Sequence, residues 1–301
     1  MKYVICWMAG VLCWAASFGQ SMESGSRRSQ VEPATVIDTC LVCVTYTFRY
    51  SIDTVRHKPL YDRDVLEIGR SRTLWYSAHA RAIDSLFQSG ANDVNARKVC
   101  GMQAGERERY EDVITNYPTN GELSVLTNIW GTEYCYAEAM PQIRWQIDPA
   151  PTDSLLNYAC HRAEARFRGR TYVVWFAPEL PFSHGPWKLG GLPGLILRAE
   201  STDGLFAWEA VSVERPRNAR PIVCYAPLSA GRAAGSMKFR TLSRKEMQRI
   251  ERMLWSDPIG LARQHGREYM IGVKDPVSGK VHIHEDPGSY QAPYIPPLEL
   301  E

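Results

Sequence analysis

Hydrophobic and polar positions alternate along most of this chain with a period of two. From Cys40 on, Cys40, Val42, Val44, Tyr46, Phe48 and Tyr50 share one face, and Leu41, Cys43, Thr45, Thr47 and Arg49 share the other. β-Branched and aromatic residues run through both sets, which predicts a strand. The same reading predicts strands near Val65 to Ile68 and Thr73 to Ser77, joined at Gly69-Arg70-Ser71. Three more are expected over Tyr110 to Tyr117, Glu122 to Trp130 and Thr132 to Ala139, with turns at Pro118-Thr119-Asn120-Gly121 and Gly131. Asp148-Pro149-Ala150-Pro151 reads as a break. Leu155 to Phe167 should pair with Arg170 to Ala177 across Arg168-Gly169. Leu195 to Glu200 should pair with Leu205 to Val213 across Asp203-Gly204, a favoured hairpin signal. Ile222 to Tyr225 is a further short strand.

Helical spacing is confined to two places. Ala80 to Gln88 carries Ala82, Ile83, Leu86 and Phe87 and stops at Gly90. Ser243 to Leu254 places Leu242, Met247, Ile250, Met253 and Leu254 on one stripe, and Ser243 with Glu246 forms a capping box. Many strands with short turns and few helices predict a mainly β fold: a large curved antiparallel sheet or half-barrel with a few peripheral helices.

One stretch departs from every periodic pattern. Gly185-Pro186-Trp187-Lys188-Leu189-Gly190-Gly191-Leu192-Pro193-Gly194 leads into the apolar run Leu195-Ile196-Leu197. Pro178, Pro181 and Pro186 prevent regular structure, so an ordered extended loop is expected, longer than most connections. Leu192-Pro193-Gly194-Leu195 suits a type II turn with Gly194 at positive φ. The apolar exit suits a strand covered on both faces.

The N-terminus changes the picture of where the chain works. Lys2 precedes an apolar run from Tyr3 to Ala16, and Ser17 and Gly19 stand at −3 and −1 of a cut before Gln20. This has the layout of a secretory signal and is too short for a membrane span. Residues 1–19 are therefore read as a signal peptide and 20–35 as a mobile tail. A single β-rich domain follows over 36–286, then an extended Pro-rich tail over 287–301. Loss of the signal lowers the formal charge from +2 to +1, because it holds one lysine and no acid. A near-neutral chain has no electrostatic case for nucleic acid. Six cysteines remain in the mature chain, Cys40, Cys43, Cys100, Cys135, Cys160 and Cys224. In an oxidising compartment they are expected to form disulfides of open pairing, the alternative being buried thiols.

Around the Gly/Pro stretch the chain resembles the GLPGLI family, through Gly191-Leu192-Pro193-Gly194-Leu195-Ile196. Tyr158, Cys160, Ala163, Phe167, Gly169-Arg170, Trp175, Leu180-Pro181 and Gly185-Pro186 extend the likeness over about 60 residues, a span within one ordinary domain. The resemblance implies export in Bacteroidota-like bacteria and a β-rich fold. It implies no activity, because that family has no established biochemical function.

Candidate chemistry is sparse. Cys40-Leu41-Val42-Cys43 has redox spacing, but lies on a strand and not at a helix N-terminus, where a dipole would lower a thiol pKa. His282 and His284 share a strand face beside Glu285 and Asp286, a pair able to ligate zinc or copper, with no third ligand given by spacing. Ser183-His184 lacks a nucleophile elbow, and Cys160 and His161 are strand neighbours facing opposite ways. Arg170, Trp175, His184, Trp187 and Lys188 are the binding candidates, as a recognition groove or as core and lid. No cofactor is expected. The reading favours a non-catalytic exported protein that binds a small ligand or an envelope protein, with the loop on the rim of the sheet. The alternatives are an exported hydrolase or metalloenzyme using His184 or the His282/His284 pair, and a disulfide-stapled assembly factor.

Overall fold

A computed structural model of the chain describes residues 35–51, 59–82, 111–129, 132–224, 240–256, 260 and 298–300, with the backbone of four strands at 3–8, 11–16, 270–274 and 281–284. In chain order the strands are β1 (Tyr3–Met8), β2 (Val11–Ala16), β3 (Thr35–Cys40), β4 (Val42–Ser51), β5 (Pro59–Ile68), β6 (Thr73–Ser77), β7 (Glu111–Thr115), β8 (Glu122–Ile129) and β9 (Thr132–Ala139). They continue with β10 (Gln146–Leu155), β11 (Tyr158–Phe167), β12 (Arg170–Ala177), β13 (Leu195–Ser201), β14 (Phe206–Glu214), β15 (Arg220–Cys224), β16 (Arg240–Thr241), β17 (Met270–Lys274) and β18 (Val281–His284). Helix α1 spans Arg244–Ser256, and a helical turn occupies 78–82. The protein is mainly β, as its alternation predicts.

Twelve strands form one sheet in the order β10-β11-β12-β13-β14-β4-β5-β6-β7-β8-β9-β16. It is two antiparallel meanders, β4 to β9 and β10 to β14, joined where β14 pairs with β4. The chain therefore enters the sheet at its middle, runs to one edge, crosses to the other and returns. Among the described strands, the two-residue β16 alone pairs in parallel, with β9, making the sheet mixed. A separate four-stranded sheet takes β1, β2, β17 and β18, and β3 with β15 forms a two-stranded ribbon.

The sheet is rolled. One apolar cluster holds Leu155 and Phe167 from one end of the strand order, Tyr46, Phe48 and Trp208 from the middle, and Tyr134 and Tyr136 from the other end. Because Arg168 in the β11–β12 turn also reaches Glu138 on β9, near the other end of the order, that face curves inward, as large twisted sheets do. The outer face of β4 to β9 buries Cys43, Val65, Leu74, Ile114, Leu126 and Cys135 beneath the β3–β15 ribbon, which adds Ile37, Cys40, Ile222 and Cys224.

Local chemistry explains the turns. Arg168 and Gly169 between β11 and β12 have φ of +52° and +78°, the double positive φ of a type I′ hairpin. Leu156 (φ +51°) and Asn157 (φ +67°) make a second such turn, so Leu155 ends β10 and does not begin the next strand. The Pro149–Pro151 segment is no break either. It lies within the edge strand β10, where missing donors are tolerated, and the register shifts there. In α1 the capping box forms as read: Ser243 N donates to Glu246 Oε2 at 2.7 Å, and Glu246 N to Ser243 Oγ at 3.3 Å. Met247 on its apolar stripe is buried in the main cluster.

Contrary to the disulfide expectation, the five described cysteines, Cys40, Cys43, Cys135, Cys160 and Cys224, are buried and form no disulfide with one another. Cys160 belongs to the inner core, and the other four to the outer one, across the sheet from it. Those four behave as small apolar side chains with local polar contacts. Cys40 Sγ donates to Val42 O at 3.3 Å, and Cys135 Sγ lies 3.4 Å from Thr241 Oγ1. A bend at Leu41 separates β3 from β4, so Cys40 joins Cys43 in the outer core and does not face with Val42. Cys100 lies outside the described residues, as do residues 17–19 of the expected signal peptide, residues 20–34 of the expected tail and most of the first expected helix.

Candidate binding site

The Gly/Pro loop does not stand on the rim of the sheet. It runs from the end of β12 into the curved interior, where Leu180, Trp187, Leu189 and Leu192 are core residues. Its backbone is tied at several points: Gly191 N donates to Ser183 O at 3.0 Å, Ile196 N to His184 O at 3.0 Å, and Leu195 N to Leu180 O at 3.0 Å. Side chains from distant strands complete the hold. Tyr46 donates to Ile196 O at 2.8 Å, and Trp145 Nε1 to Gly190 O at 2.8 Å. Gly191, not Gly194, takes the positive φ, at +85°. Gly194 is needed for space, since a Cβ there would fall inside contact distance of the Ala177 carbonyl.

Trp187 sits at the innermost part of the loop with φ +55°. A bulky residue in the left-handed region costs about 1–2 kcal/mol. Its near-complete burial offsets that by about 2–3 kcal/mol. The indole packs against Phe167 and Tyr172, and its Nε1 donates to Glu111 Oε1 at 3.1 Å.

The next residue, Lys188, has a side chain only 1% exposed. Its ammonium donates to Tyr136 Oη at 2.7 Å, to Glu138 Oε1 at 2.8 Å and to Glu299 Oε1. Two guanidinium groups close the same cluster. Arg168 pairs with Glu138. Arg244, at the start of α1, reaches Glu299 Oε2 at 2.8 Å and Glu138 Oε2 at 3.4 Å. Three cations thus converge on two carboxylates from β9 and from residue 299. Burial alone would raise the Glu299 carboxyl, but Lys188 and Arg244 outweigh it and hold it below its ordinary range. Glu251 behaves oppositely. Burial first, then Glu111 and Glu299, push its carboxyl up to about 8, against the pull of Lys188 and Arg244. Tyr136 is raised by burial and by the surrounding carboxylates.

Leu298, Glu299 and Leu300 enter this cluster outside any strand or helix, with a bend at Leu298. Arg170 Nε donates to Leu298 O at 3.3 Å, and Leu300 N donates to Arg168 O at 3.0 Å. Arg170 is buried, paired with Asp203 and stacked over Phe206 at 4.9 Å.

Of the sequence candidates, the fold brings Arg170, Trp187 and Lys188 together. Trp175 points to the other face of β12, beneath Arg198 at 5.2 Å. His184 forms a backbone bridge with Gly190, and burial lowers its pKa. Ser183 is exposed. His161 leaves Cys160 and contacts Asp148 O at 3.3 Å. His282 and His284 do lie on a strand, β18, whose side chains are outside the described residues. No group of three or more metal-binding side chains occurs among the described residues. The sequence reading missed Glu111, Tyr136, Glu138, Arg168, Arg244, Glu251 and Glu299. They come from β7, β9, the β11–β12 turn, α1 and residue 299, so no spacing rule links them.

Comparison with known proteins adds a family likeness over the loop. Residues 164–198, from the second half of β11 to the start of β13, match a family described as a protein of unknown function (Porph_ging). Two crystal structures of PNGF-II, in the P21 and C2 space groups, are similar at 15% and 17% identity, with TM-scores of 0.44 and 0.41. The matches cover 70% and 60% of this chain, and 32% and 28% of those chains, so the chain spans about a third of their length. No curated protein matches the chain. The segment that carries the family likeness is the one that delivers Arg168, Arg170, Trp187 and Lys188 to the site.

Proposed function

We propose that this chain is an exported cell-envelope protein of the GLPGLI type, which works by binding and not by catalysis. The observation that carries the reading is Lys188. Its buried ammonium holds the Glu299 carboxylate of a segment 111 residues away in sequence. The interior of the rolled sheet is filled with loop and side chains, and its charged end receives a peptide-like segment through complementary ions. The charged groups there are engaged in ion pairs with one another, which supports a recognition role. The GLPGLI assignment is supported by the hexapeptide at Gly191–Ile196, inside the matched residues 164–198. Export is supported by Lys2, the apolar run that follows it and the small residues before Gln20.

Two measurements test this. N-terminal sequencing of protein from the envelope fraction should begin at Gln20. An intact Met1 on protein found only in the cytoplasm overturns export. A photoreactive residue placed at Arg166, beside the site, should capture one recurrent envelope component in cells, and Lys188→Met should abolish that capture. Unchanged capture in a folded Lys188→Met variant removes the site's binding role.

A further inference from the structure

We infer that the pocket of Lys188, Arg168 and Arg244 recognises an acidic peptide of the Leu-Glu-Leu kind, and that Leu298–Leu300 is its resident occupant. The inference rests on the binding reading above and names the chemistry of the ligand.

The contacts are those of a docked peptide. Residues 298–300 belong to no sheet. They are held by main-chain groups on either side of one anchoring carboxylate. Leu298 O accepts from Arg170 Nε at 3.3 Å and from Tyr172 Oη at 3.5 Å, and Leu300 N donates to Arg168 O at 3.0 Å. Such bonds are made to main-chain atoms that every peptide carries, so the side-chain pocket sets the specificity. That pocket is ionic, and its Lys188 and Glu299 side chains are nearly fully buried. Glu299 is 9% exposed, and both of its oxygens meet cations, Oε1 on Lys188 and Oε2 on Arg244 at 2.8 Å. Leu298 packs on the inner core, whereas Leu300 is 46% exposed, so one leucine anchors and the other leads out.

Charge fixes the class of ligand. Without Glu299, the buried Lys188 would keep Glu138 as its one ion-pair partner among the described contacts, and Arg168 and Arg244 converge on that same carboxylate. That excess of cations favours an anion at the position, and the flanking main-chain bonds favour one borne on a peptide. The resident segment also leaves a donor unused. Arg168 Nε is buried without a hydrogen-bond partner and lies 3.9 Å from Glu299 Oε2. An incoming peptide that brings its carboxylate closer to Arg168 gains a charge-assisted bond that the resident lacks. Both Arg168 and Trp187 are held at positive φ, so the hairpin and loop that form the pocket keep a shape their own residues do not favour. Because the occupant is tethered, an outside peptide must compete with a high effective concentration.

The test uses the full chain carrying Glu299→Gln, which vacates the anionic position at constant side-chain size, and a synthetic peptide with the sequence of residues 295–301, Ile-Pro-Pro-Leu-Glu-Leu-Glu. Calorimetric titration should give binding at least tenfold tighter than to the unmodified chain. The gain should weaken tenfold or more when the peptide's first glutamate is replaced by glutamine, and should vanish with Lys188→Met added. No binding to a Glu299→Gln variant with native circular dichroism, equal binding to the unmodified chain, or indifference to the glutamine peptide overturns the inference. If Glu299→Gln does not fold, the unmodified chain is labelled with excess peptide carrying a photoreactive group at its last leucine. Labels on residues 166–170 support the site, and labels elsewhere or none overturn it. A null titration with Lys188-dependent capture in cells removes the peptide class and leaves the binding reading. Loss of both removes both.

Discussion

Glu138 at the end of β9 is ion-paired with Arg168 in the turn between β11 and β12. In the strand order β12 is third and β9 eleventh. At the usual strand spacing, eight intervals would put them roughly 40 Å apart on a flat sheet. The pair therefore measures how far the sheet is rolled: nearly shut, but bridged by side chains and a loop where a barrel would have backbone bonds. Lys188 reinforces the bridge from inside the roll, pairing with Glu138 from a loop that leaves β12.

Replacing Lys188 by methionine should therefore do more than remove a surface charge. It leaves Glu138 and Glu299 partly unpaired in a dry interior, with an expected cost of about 3–5 kcal/mol. The double variant Lys188→Met/Glu299→Gln should lose less than the sum of the two single changes, because the second relieves the first. Urea unfolding of the four proteins measures this. Additive losses would show that the two groups do not act on each other.

Acidity should stabilise the fold through Glu251. Its carboxyl is raised to about 8 from an ordinary value of 4.5. The folded chain therefore binds the proton more tightly than the unfolded one. The stability is fully present below about 4.5 and is lost as pH rises through about 8, on the order of 1–3 kcal/mol. The groups that set this are Glu111, Glu299, Lys188 and Arg244. Thermal melts from pH 5 to 9 should decline in the unmodified chain and flatten in Glu251→Gln. An unchanged slope in that variant would place the titration elsewhere.

The two glycines of the hexapeptide should differ in their tolerance of alanine. Gly191→Ala meets open space and suffers only the positive φ, a cost of about 1–2 kcal/mol. Gly194→Ala must displace the Ala177 carbonyl and the start of β13, and should cost more, about 3 kcal/mol or beyond. Equal losses in denaturant unfolding would contradict the close approach of the two backbones.

The thiols should be inert until the protein opens. Burial pushes Cys40 up to about 11 and raises Cys43 and Cys160 as well. Alkylation with iodoacetamide at pH 8, read by peptide mass, should leave Cys40, Cys43, Cys135, Cys160 and Cys224 unmodified in the native chain and modify all five in urea. A Cys40–Cys43 disulfide in protein isolated under native conditions would contradict this.

These expectations mark where the sequence was informative. Strands such as β4 and hairpins such as β11–β12 and β13–β14 were legible, because period-two patterning and turn residues act locally. The capping box of α1 was legible for the same reason. Pro149 and Pro151 misled, since a proline's cost depends on whether its strand is an edge, which only the assembled sheet decides. Gly194 misled because a tertiary approach to Ala177 produces the same requirement for glycine as a turn. Arg170, Trp187 and Lys188 stood out beside an unusual loop. Glu138, Arg244 and Glu299 did not: each is an ordinary charged residue on its own element, and only the rolling of the sheet brings them within reach of Lys188.

The seam where β14 meets β4 has a kinetic consequence. Tyr50 pairs with Phe206, and Cys43 with Glu214, so the first strand of the sheet waits for a partner made more than 150 residues later. During synthesis the meander β4 to β9 emerges with its β4 edge open, and loop-closure entropy must be overcome before that pairing stabilises anything. Folding should therefore be slow and late, completed only when β14 arrives. Until then the β4 edge is the place where a chaperone, or another copy of the chain, would find an unpaired strand.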